Sequence, residues 1–535
     1  MHSVYDAFTK NAIAHTGRPF LHIPAVATKA YSGGAIDLTY GDAAQAIDTT
    51  LSRYQEAGYG NGHRVAVLLE NRREFFIHWF ALNALGVSIV PVNGEMSEDD
   101  VAYILGHSEV CLAVSVHEKC QLLKDAAAHA GIDLPVIEHS LSALPAACSS
   151  HGNEAIGPHT EAAILYTSGS TGKPKGCVLS NEYFLLGGQR YINLGGLCTL
   201  QPGIERLLTP LPLVHMNAMA ASTMAMVLSG GCIVQLDRFH PTSWWQTVVE
   251  SGATIVHYLG VMPAMLLNLD TSAFESDHRV KFGFGAGVNP IHHERFEQRF
   301  NIPLIEAWAM TESGNANSVV ANQEPRHVGT SCFGKPPDDI DVVLVDELGH
   351  EVPEGEQGEL LLRARGDDPR RGFFSRYLKN EEATREAWQG GWLHTGDVVR
   401  FGQDGQLHFV DRRKNVIRRS GENISALEVE AIASTHAAIE QVAVAPVPDE
   451  IRGDEVMACI VPRPGQASNL ETAQSVFNHC RGSLTYFKLP GYIAFVDALP
   501  LTASNKPRRD EIKKLCRRLL QEHACYDLTA QKRKS

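Results

Sequence analysis

The sequence predicts an α/β protein: a large N-terminal domain of several α/β units, ending in a β-rich subdomain, and then a small, mobile α+β domain. Three observations lead there. Strand-like apolar runs alternate with helix-like segments from residue 1 to about 410, the pattern of layered α/β units. Between about 340 and 410 that alternation gives way to short strands separated by glycine turns. A basic stretch, Asp411-Arg-Arg-Lys-Asn-Val-Ile-Arg-Arg419, then changes the composition before a unit of about 120 residues, an ordinary domain size. The expected spans are 1–411 for the large domain, with 340–411 as its β-rich part, and 412–535 for the small one.

The elements follow from their periodicity. Arg64-Val-Ala-Val-Leu-Leu69 is an apolar strand run, Glu74 to Leu85 has the length and pattern of a helix, and Val87-Ser-Ile-Val-Pro91 returns as a strand. Ala162 to Tyr166, Thr254 to Tyr258 and Pro303 to Glu306 are further strands, each ending beside a polar motif, where α/β sheets place their active groups. Asp341 to Val345 and Glu359 to Leu362 are short strands, and Asp404-Gly405 is the turn of a hairpin. In the small domain Ser425-Ala-Leu-Glu428 opens a helix as a capping box, with Val429, Ile432 and Ala433 on one face. Gln441 to Ala445 and Val456 to Val461 supply strands, and only the last ten or so residues look frayed.

Composition excludes several classes of function. The net charge of −14 opposes nonspecific nucleic-acid binding, since basic residues concentrate only at Arg412-Arg413-Lys414, Arg418-Arg419 and Lys532-Arg533-Lys534. The eleven cysteines contain no C-x-x-C pair, so they predict reduced, buried thiols rather than zinc ligands or disulfides. The N-terminus lacks a basic segment followed by an apolar core, and no run reaches about 18 apolar residues. The expectation is a cytoplasmic protein with no nucleic-acid partner and no transmembrane segment, compatible with a homo-oligomer.

The most informative stretch is Tyr166-Thr-Ser-Gly-Ser-Thr-Gly-Lys-Pro-Lys-Gly176. Its glycines let backbone N–H groups turn toward an anion, Thr167, Ser168, Ser170 and Thr171 add hydroxyl donors, and Lys173 and Lys175 add charge. It is not the ordinary P-loop. That motif needs a glycine five residues before Gly-Lys and a Ser or Thr after it, whereas Gly172-Lys173 has Thr167 before it and Pro174 after.

The loop resembles the signature of adenylate-forming enzymes, the superfamily of acyl-CoA synthetases, luciferases and peptide-synthetase adenylation domains. The family's other motifs stand in order: Gly285-Ala-Gly-Val-Asn289, Trp308-Ala-Met-Thr-Glu312, Gly391-Trp-Leu-His-Thr-Gly-Asp397, Asp411-Arg-Arg-Lys414, Ser420-Gly-Glu-Asn423 and Pro500-Leu-Thr-Ala-Ser-Asn-Lys506. The pattern, including Phe409-Val-Asp-Arg-Arg-Lys-Asn415, is most similar to the carnitine and crotonobetaine CoA ligase branch. The resemblance implies an AMP-forming acid:CoA ligase that takes ATP, Mg²⁺, CoA and a small carboxylic acid. The alternative is an adenylating enzyme that loads a carrier protein, although no carrier serine motif follows the small domain. A luciferase-like oxidase and a regulatory nucleotide-binding protein are further alternatives, separated by light emission and by pyrophosphate exchange.

The same resemblance assigns roles. Thr167, Ser168, Gly169, Ser170, Thr171, Gly172, Lys173 and Lys175 clamp the β- and γ-phosphates, the glycines allowing the loop to close once ATP is bound. Gly285, Ala286 and Gly287, with Trp308, Ala309, Met310 and Thr311, belong to the nucleotide pocket, Trp308 standing where an aromatic lies against adenine. Ala309 replaces the usual glycine. Glu312, with Thr167, is associated with Mg²⁺. Asp397 accepts from the ribose hydroxyls, and Arg412 is its partner near ribose and phosphate. Lys506 bridges the substrate carboxylate and the α-phosphate, with Asn505 in place of a glycine. Lys414 is the point about which the small domain rotates, Arg418 stands where many CoA ligases carry lysine, and Gly421 and Glu422 fit the turn near the CoA tunnel. His215, in Pro212-Leu-Val-His-Met-Asn217, matches the segment near the acyl carboxylate, and Met216, Met219 and Met224 suggest an apolar, adaptable acyl pocket.

Overall fold

The computed structural model describes residues 1–140, 144–148, 152, 154–167, 173–413, 415–419, 422–449, 452–501 and 507–532, with Arg418, Glu422, Asn423 and Gly453 through their backbone only. The chain divides into two compact units, Met1–Val342 with Leu362–Leu393, and Val343–Leu361 with His394–Ser535. The strands Ile340–Val345 and Gln357–Ala364 carry the chain from one to the other. No helix among the described residues is long and apolar enough to cross a membrane.

The first unit holds two sheets. In the seven-stranded sheet Glu161–Thr167, Ser88–Pro91, Arg64–Leu68, Leu112–Ser115 and Val136–Glu138 run parallel, and Lys175–Ser180 and Arg376–Tyr377 extend it through antiparallel pairs. Ser88–Pro91 and Leu112–Ser115 are buried at every position, as strands covered on both faces require, which is why they appear in sequence as unbroken apolar runs. The eight-stranded sheet has a parallel centre of Cys232–Gln235, Arg206–Thr209, Ile255–Leu259, Phe282–Ala286 and Leu304–Trp308. The expected Pro303 to Glu306 strand thus runs two residues further, to Trp308. Two loops at the carboxyl ends of this sheet touch backbone to backbone. A Cβ added at Gly260 would lie 1.7 Å from the Gly287 carbonyl oxygen, so only glycine fits there.

The second unit contains the hairpin of Leu393–Phe401 and Leu407–Arg412, turning at Asp404-Gly405 as expected. Its six-stranded sheet is built around Gly453–Pro462, paired antiparallel to Ile439–Asp449 and parallel to Tyr492–Phe495. Successive residues of the central strand serve opposite faces. Val456, Ala458 and Ile460 join a core with Val429, Ala433 and Phe477, while Met457 and Cys459 join one with Ile512 and Cys516. Ser425 caps the helix Ala426–Ala433 by accepting from the Glu428 N–H at 3.2 Å.

Two expectations are corrected. The C-terminal stretch is not frayed over its described part: Tyr526–Asp527 pairs with Tyr492–Phe495, and the Lys532 side chain is buried against Glu455. A buried carboxylate recruits the tail's ammonium, and periodicity gives no sign of such a contact. The thiols are free, but not all are buried: Cys148 is exposed, and Cys111, Cys120 and Cys525 are half-buried.

Candidate active site

The loop expected to hold phosphate joins two antiparallel strands. Glu161–Thr167 and Lys175–Ser180 pair antiparallel in a register that sets Thr167 opposite Lys175, Tyr166 opposite Gly176 and Leu165 opposite Cys177. A P-loop leads from a strand into a helix; this one leads from strand to strand, in agreement with the spacing that set it apart. Directly opposed residues share a face, so Thr167, Lys175 and Cys177 project together and Tyr166 projects to the other side. There the Tyr166 hydroxyl meets His107 Nδ1 at 2.8 Å. The Lys173 ammonium lies 5.1 Å from the centre of the Tyr103 ring. Ser168, Gly169, Ser170, Thr171 and Gly172 lie outside the described residues.

The structure brings Glu312 to this face. Arg376–Tyr377 adds antiparallel to Lys175–Ser180 with Tyr377 opposite Cys177. The Tyr377 hydroxyl donates to Glu312 Oε1 at 2.8 Å, and both residues are buried. Burial, and then the Glu312 charge, holds the Tyr377 phenol far above its ordinary range, so it stays a donor. The Lys175 ammonium stands 4.9 Å from the centre of the Tyr377 ring. Cys177 links the remaining groups: burial, then Glu312, pushes its thiol well up, while a bond from Thr167 opposes. An ammonium and a carboxylate expected from two separate motifs therefore meet at one tyrosine that sequence reasoning passed over, with Thr167 on the same face. Its strand is two residues long and pairs with a strand two hundred residues earlier, which no local pattern signals.

A second missed carboxylate supports the segment expected to line the nucleotide pocket. Glu306 is buried on Leu304–Trp308 and accepts from Tyr258 Oη at 2.7 Å, from the Gly287 N–H at 2.9 Å and from the Val288 N–H at 3.2 Å. Burial pushes its carboxyl up, partly countered by these donors. Gly287 and Val288, which follow Gly285 and Ala286, are thus fixed by a side chain from the neighbouring strand. Trp308 is buried, with its ring 6.3 Å from Phe333, and Ala309, Met310 and Thr311 are half-buried in the turn that follows. The Met310 N–H donates to Ser313 Oγ at 3.0 Å.

In the second unit Asp397 is 2% exposed, with Arg412 Nε 2.9 Å from its Oδ1. Its N–H donates to Thr395 Oγ1, which donates to the Leu360 carbonyl at 2.7 Å. Glu359, another residue the sequence did not single out, accepts from the Gly396 N–H at 3.1 Å and from Arg413 Nη1 at 2.6 Å. Burial raises its carboxyl, but His394, the Gly396 N–H and Arg413 outweigh that and leave it lowered, hence charged. Asp411 Oδ2 accepts from Ser425 Oγ at 3.2 Å and from the Leu427 N–H at 3.3 Å, and Oδ1 takes the Arg412 N–H at 2.7 Å. Arg418 pairs with Asn423, and Arg419 with Glu422, across a hairpin. Leu501 bridges Pro507 antiparallel. Lys414, Gly421 and Lys506 lie outside the described residues.

His215 is exposed, and its carbonyl accepts from the Met219 N–H at 3.2 Å. Met219 and Met224 have no exposed surface, so they pack the core instead of lining an accessible acyl pocket. The buried imidazole of this region is His257, drawn down to about 3 by burial, with its two nitrogens on Tyr191 and Ser222 at 2.8 Å. It is neutral and fully engaged.

Comparison with known proteins identifies the family. The model of the AMP-binding enzyme family matches residues 11–372, and that of the AMP-binding enzyme C-terminal domain matches residues 428–506. The chain is 28% identical over 505 residues to a crotonobetaine/carnitine–CoA ligase of Escherichia coli, covering 90% of this chain and 94% of the relative. It is 31% identical over 480 residues to a sulfoacetate–CoA ligase of Cupriavidus necator, covering 88% and 91%. In fold it is similar to the o-succinylbenzoate CoA synthetase of Bacillus subtilis solved with its acyl-adenylate, with a TM-score of 0.79 at 22% identity over 95% and 97% of the two chains. With two family models matched in order along it, the chain belongs to the AMP-binding enzyme family, among the adenylate-forming acyl-CoA synthetases.

Proposed function

We propose that this chain is a cytoplasmic enzyme that activates a small carboxylic acid with ATP and passes the acyl group to CoA, releasing AMP and pyrophosphate. The observation that carries this reading is the cluster on one sheet face, where Thr167 and Lys175 are cross-strand partners and Tyr377 touches both Lys175 and Glu312. Hydroxyl and carboxylate oxygens are the donors Mg²⁺ takes alongside phosphate, so Glu312 and Thr167 fit the metal. ATP supplies the leaving pyrophosphate and Mg²⁺ offsets its charge. Thr167, Lys173 and Lys175, with residues 168–172, hold the β- and γ-phosphates. Gly285 to Gly287 and Trp308 to Thr311 hold adenine, and Asp397 with Arg412 holds the ribose. Lys506 neutralises the carboxylate against the α-phosphate as the adenylate forms. Rotation about Lys414 then brings the Arg418, Gly421 and Glu422 segment to the acyl carbon for thioester formation.

The test is CoA-dependent AMP release over a panel of acids that includes crotonobetaine, carnitine and sulfoacetate, with pyrophosphate exchange measured separately. At least one acid should support both. Lys506→Ala should lower exchange by about 100- to 1000-fold while supplied acyl-AMP still reacts with CoA. Equal loss in the two half-reactions would remove Lys506 from its assigned step, and exchange without any thioester would point to another acceptor.

A further inference from the structure

Tyr377 stands between the two charged groups that the phosphate end of the reaction needs. Thr167, Lys175, Cys177 and Tyr377 share one face because the registers of two antiparallel pairs oppose Lys175 to Thr167 and Cys177 to Tyr377. Over that face the Tyr377 hydroxyl donates to Glu312 Oε1 at 2.8 Å, while the ring carries the Lys175 ammonium at 4.9 Å. The tyrosine is itself fixed: its N–H donates to Thr384 Oγ1 at 3.0 Å, and its ring lies 4.8 Å from that of Phe374. The Phe374 N–H in turn donates to the Glu312 carbonyl at 3.0 Å, so the 374–377 segment grips Glu312 through both backbone and side chain.

We propose that Tyr377 is a positioning residue for the nucleotide's metal and phosphates, an inference that rests on the assignment of Glu312 to Mg²⁺ and of Lys175 to phosphate. A carboxylate has two oxygens and about four lone-pair sites. The phenol fills one oxygen of Glu312 and leaves Oε2 to the metal. Being neutral, it orients the carboxylate without cancelling the charge that attracts the cation, which an arginine or lysine in its place would do. Its ring face does the corresponding service for Lys175. An ammonium over a ring is held by the ring's negative face while its N–H groups stay available for phosphate oxygens. One side chain thereby fixes the spacing between a cation that binds phosphate directly and an anion that binds it through the metal.

The two contacts can be removed separately. Tyr377→Phe keeps the ring under Lys175 and deletes only the hydroxyl, whereas Tyr377→Leu deletes both. The probes are ATP alone, titrated by calorimetry without metal, and Mn²⁺ added to the enzyme with ATP, followed by electron paramagnetic resonance. Neither probe needs the acid or CoA, so the outcome is independent of whether the thioester reading stands. Loss of a hydrogen-bond partner behind a metal ligand typically weakens the metal by about 10- to 100-fold. The Phe variant should therefore weaken Mn²⁺ about tenfold and leave metal-free ATP within about twofold of the parent, and the Leu variant should weaken both. On a Glu312→Gln background, Tyr377→Phe should cost no further Mn²⁺ affinity, because the oxygen it orients no longer binds metal. That background carries no buried charge, so it also preserves the comparison should the single Phe variant fold poorly. Parent-like Mn²⁺ affinity in the Phe variant would overturn the proposal. So would an equal loss of metal-free ATP binding in that variant, or full additivity with Glu312→Gln.

Discussion

Asp397 is held from two sides, by Arg412 at its carboxylate and by Thr395 at its N–H, in a position 2% exposed. A carboxylate fixed in this way can accept from two neighbouring hydroxyls without first being ordered. A hydrogen bond to a charged group contributes about 1.5–3 kcal/mol, so losing one costs about 10- to 100-fold. Asp397→Ala should raise the KM for ATP by at least that factor and, more tellingly, abolish discrimination between ATP and 2′-deoxy-ATP. Retained discrimination would take the ribose away from Asp397. Candidates such as Asp397, Glu312 and Lys175 could be named from the sequence because the proposed chemistry needs their type at a fixed spacing within one short motif. Tyr377, Glu306 and Glu359 were not, since each acts on a group brought near by strand pairing, and nothing in their own neighbourhood records it. The methionines misled for a related reason: flexible apolar side chains suit a binding pocket and a core equally well, and burial alone separates the two.

At the scale of elements, apolar runs and glycine turns located the strands, to within a residue for the one that ends at Thr167, although Gln441 to Ala445 proved to be the middle of the longer Ile439–Asp449. The ordered C-terminal strand and the lysine beyond it escaped, because an ion pair to a strand seventy-odd residues earlier has no period. Glu455 accepts from Arg419 Nε at 2.8 Å and from the buried Lys532 ammonium, and the Phe487 carbonyl takes the same ammonium at 3.2 Å. Burial, partly opposed by Glu455, draws Lys532 down to about 8 from an ordinary 10.5. Between these values the unfolded chain keeps a proton that the folded chain has released. Stability therefore rises with pH through that window on account of this group, by up to about 1.4 kcal/mol per unit, and below it the cost of burying the charge is fully present. Lys532→Met should lack the rise. Unfolding by urea at a series of pH values should show the stability of the parent rising relative to that of the variant between pH 8 and 10.5. Parallel profiles would mean that the tail ammonium carries no such cost.

For the whole molecule, the proposed mechanism needs different groups at one acyl carbon in its two half-reactions, assigned above to Lys506 and to the segment from Arg418 to Glu422. On that proposal one small domain presents both by turning about Lys414. Large changes in φ and ψ absorb such a turn, and proline fixes φ near −65°. Lys414→Pro should leave pyrophosphate exchange nearly intact while acyl-CoA formation falls by about 100-fold or more, a loss on the scale of one missing transition-state contact. Lys414→Ala, which leaves the backbone free, should do far less harm. If the two variants made acyl-CoA equally well, the pivot would lie elsewhere. The composition shift at 411 shows where the chain changes character. It does not show that Asp411 ties the strand before the shift to the helix after it, through Ser425 and the Leu427 N–H.

The antiparallel pairing of Thr167 with Lys175 has a consequence for how this enzyme can evolve. In a strand-to-helix loop, an inserted residue rotates or displaces the helix behind it. Between two antiparallel strands, the Thr167–Lys175 pair closes the turn whatever lies between, and doubling the length of a flexible loop costs only about 0.6 kcal/mol. Insertions and deletions there leave the sheet, Cys177 and Tyr377 in register. If the loop holds the nucleotide phosphates as proposed, drift in it would alter how quickly nucleotide is captured and released, while the groups on the paired strands stay under separate selection.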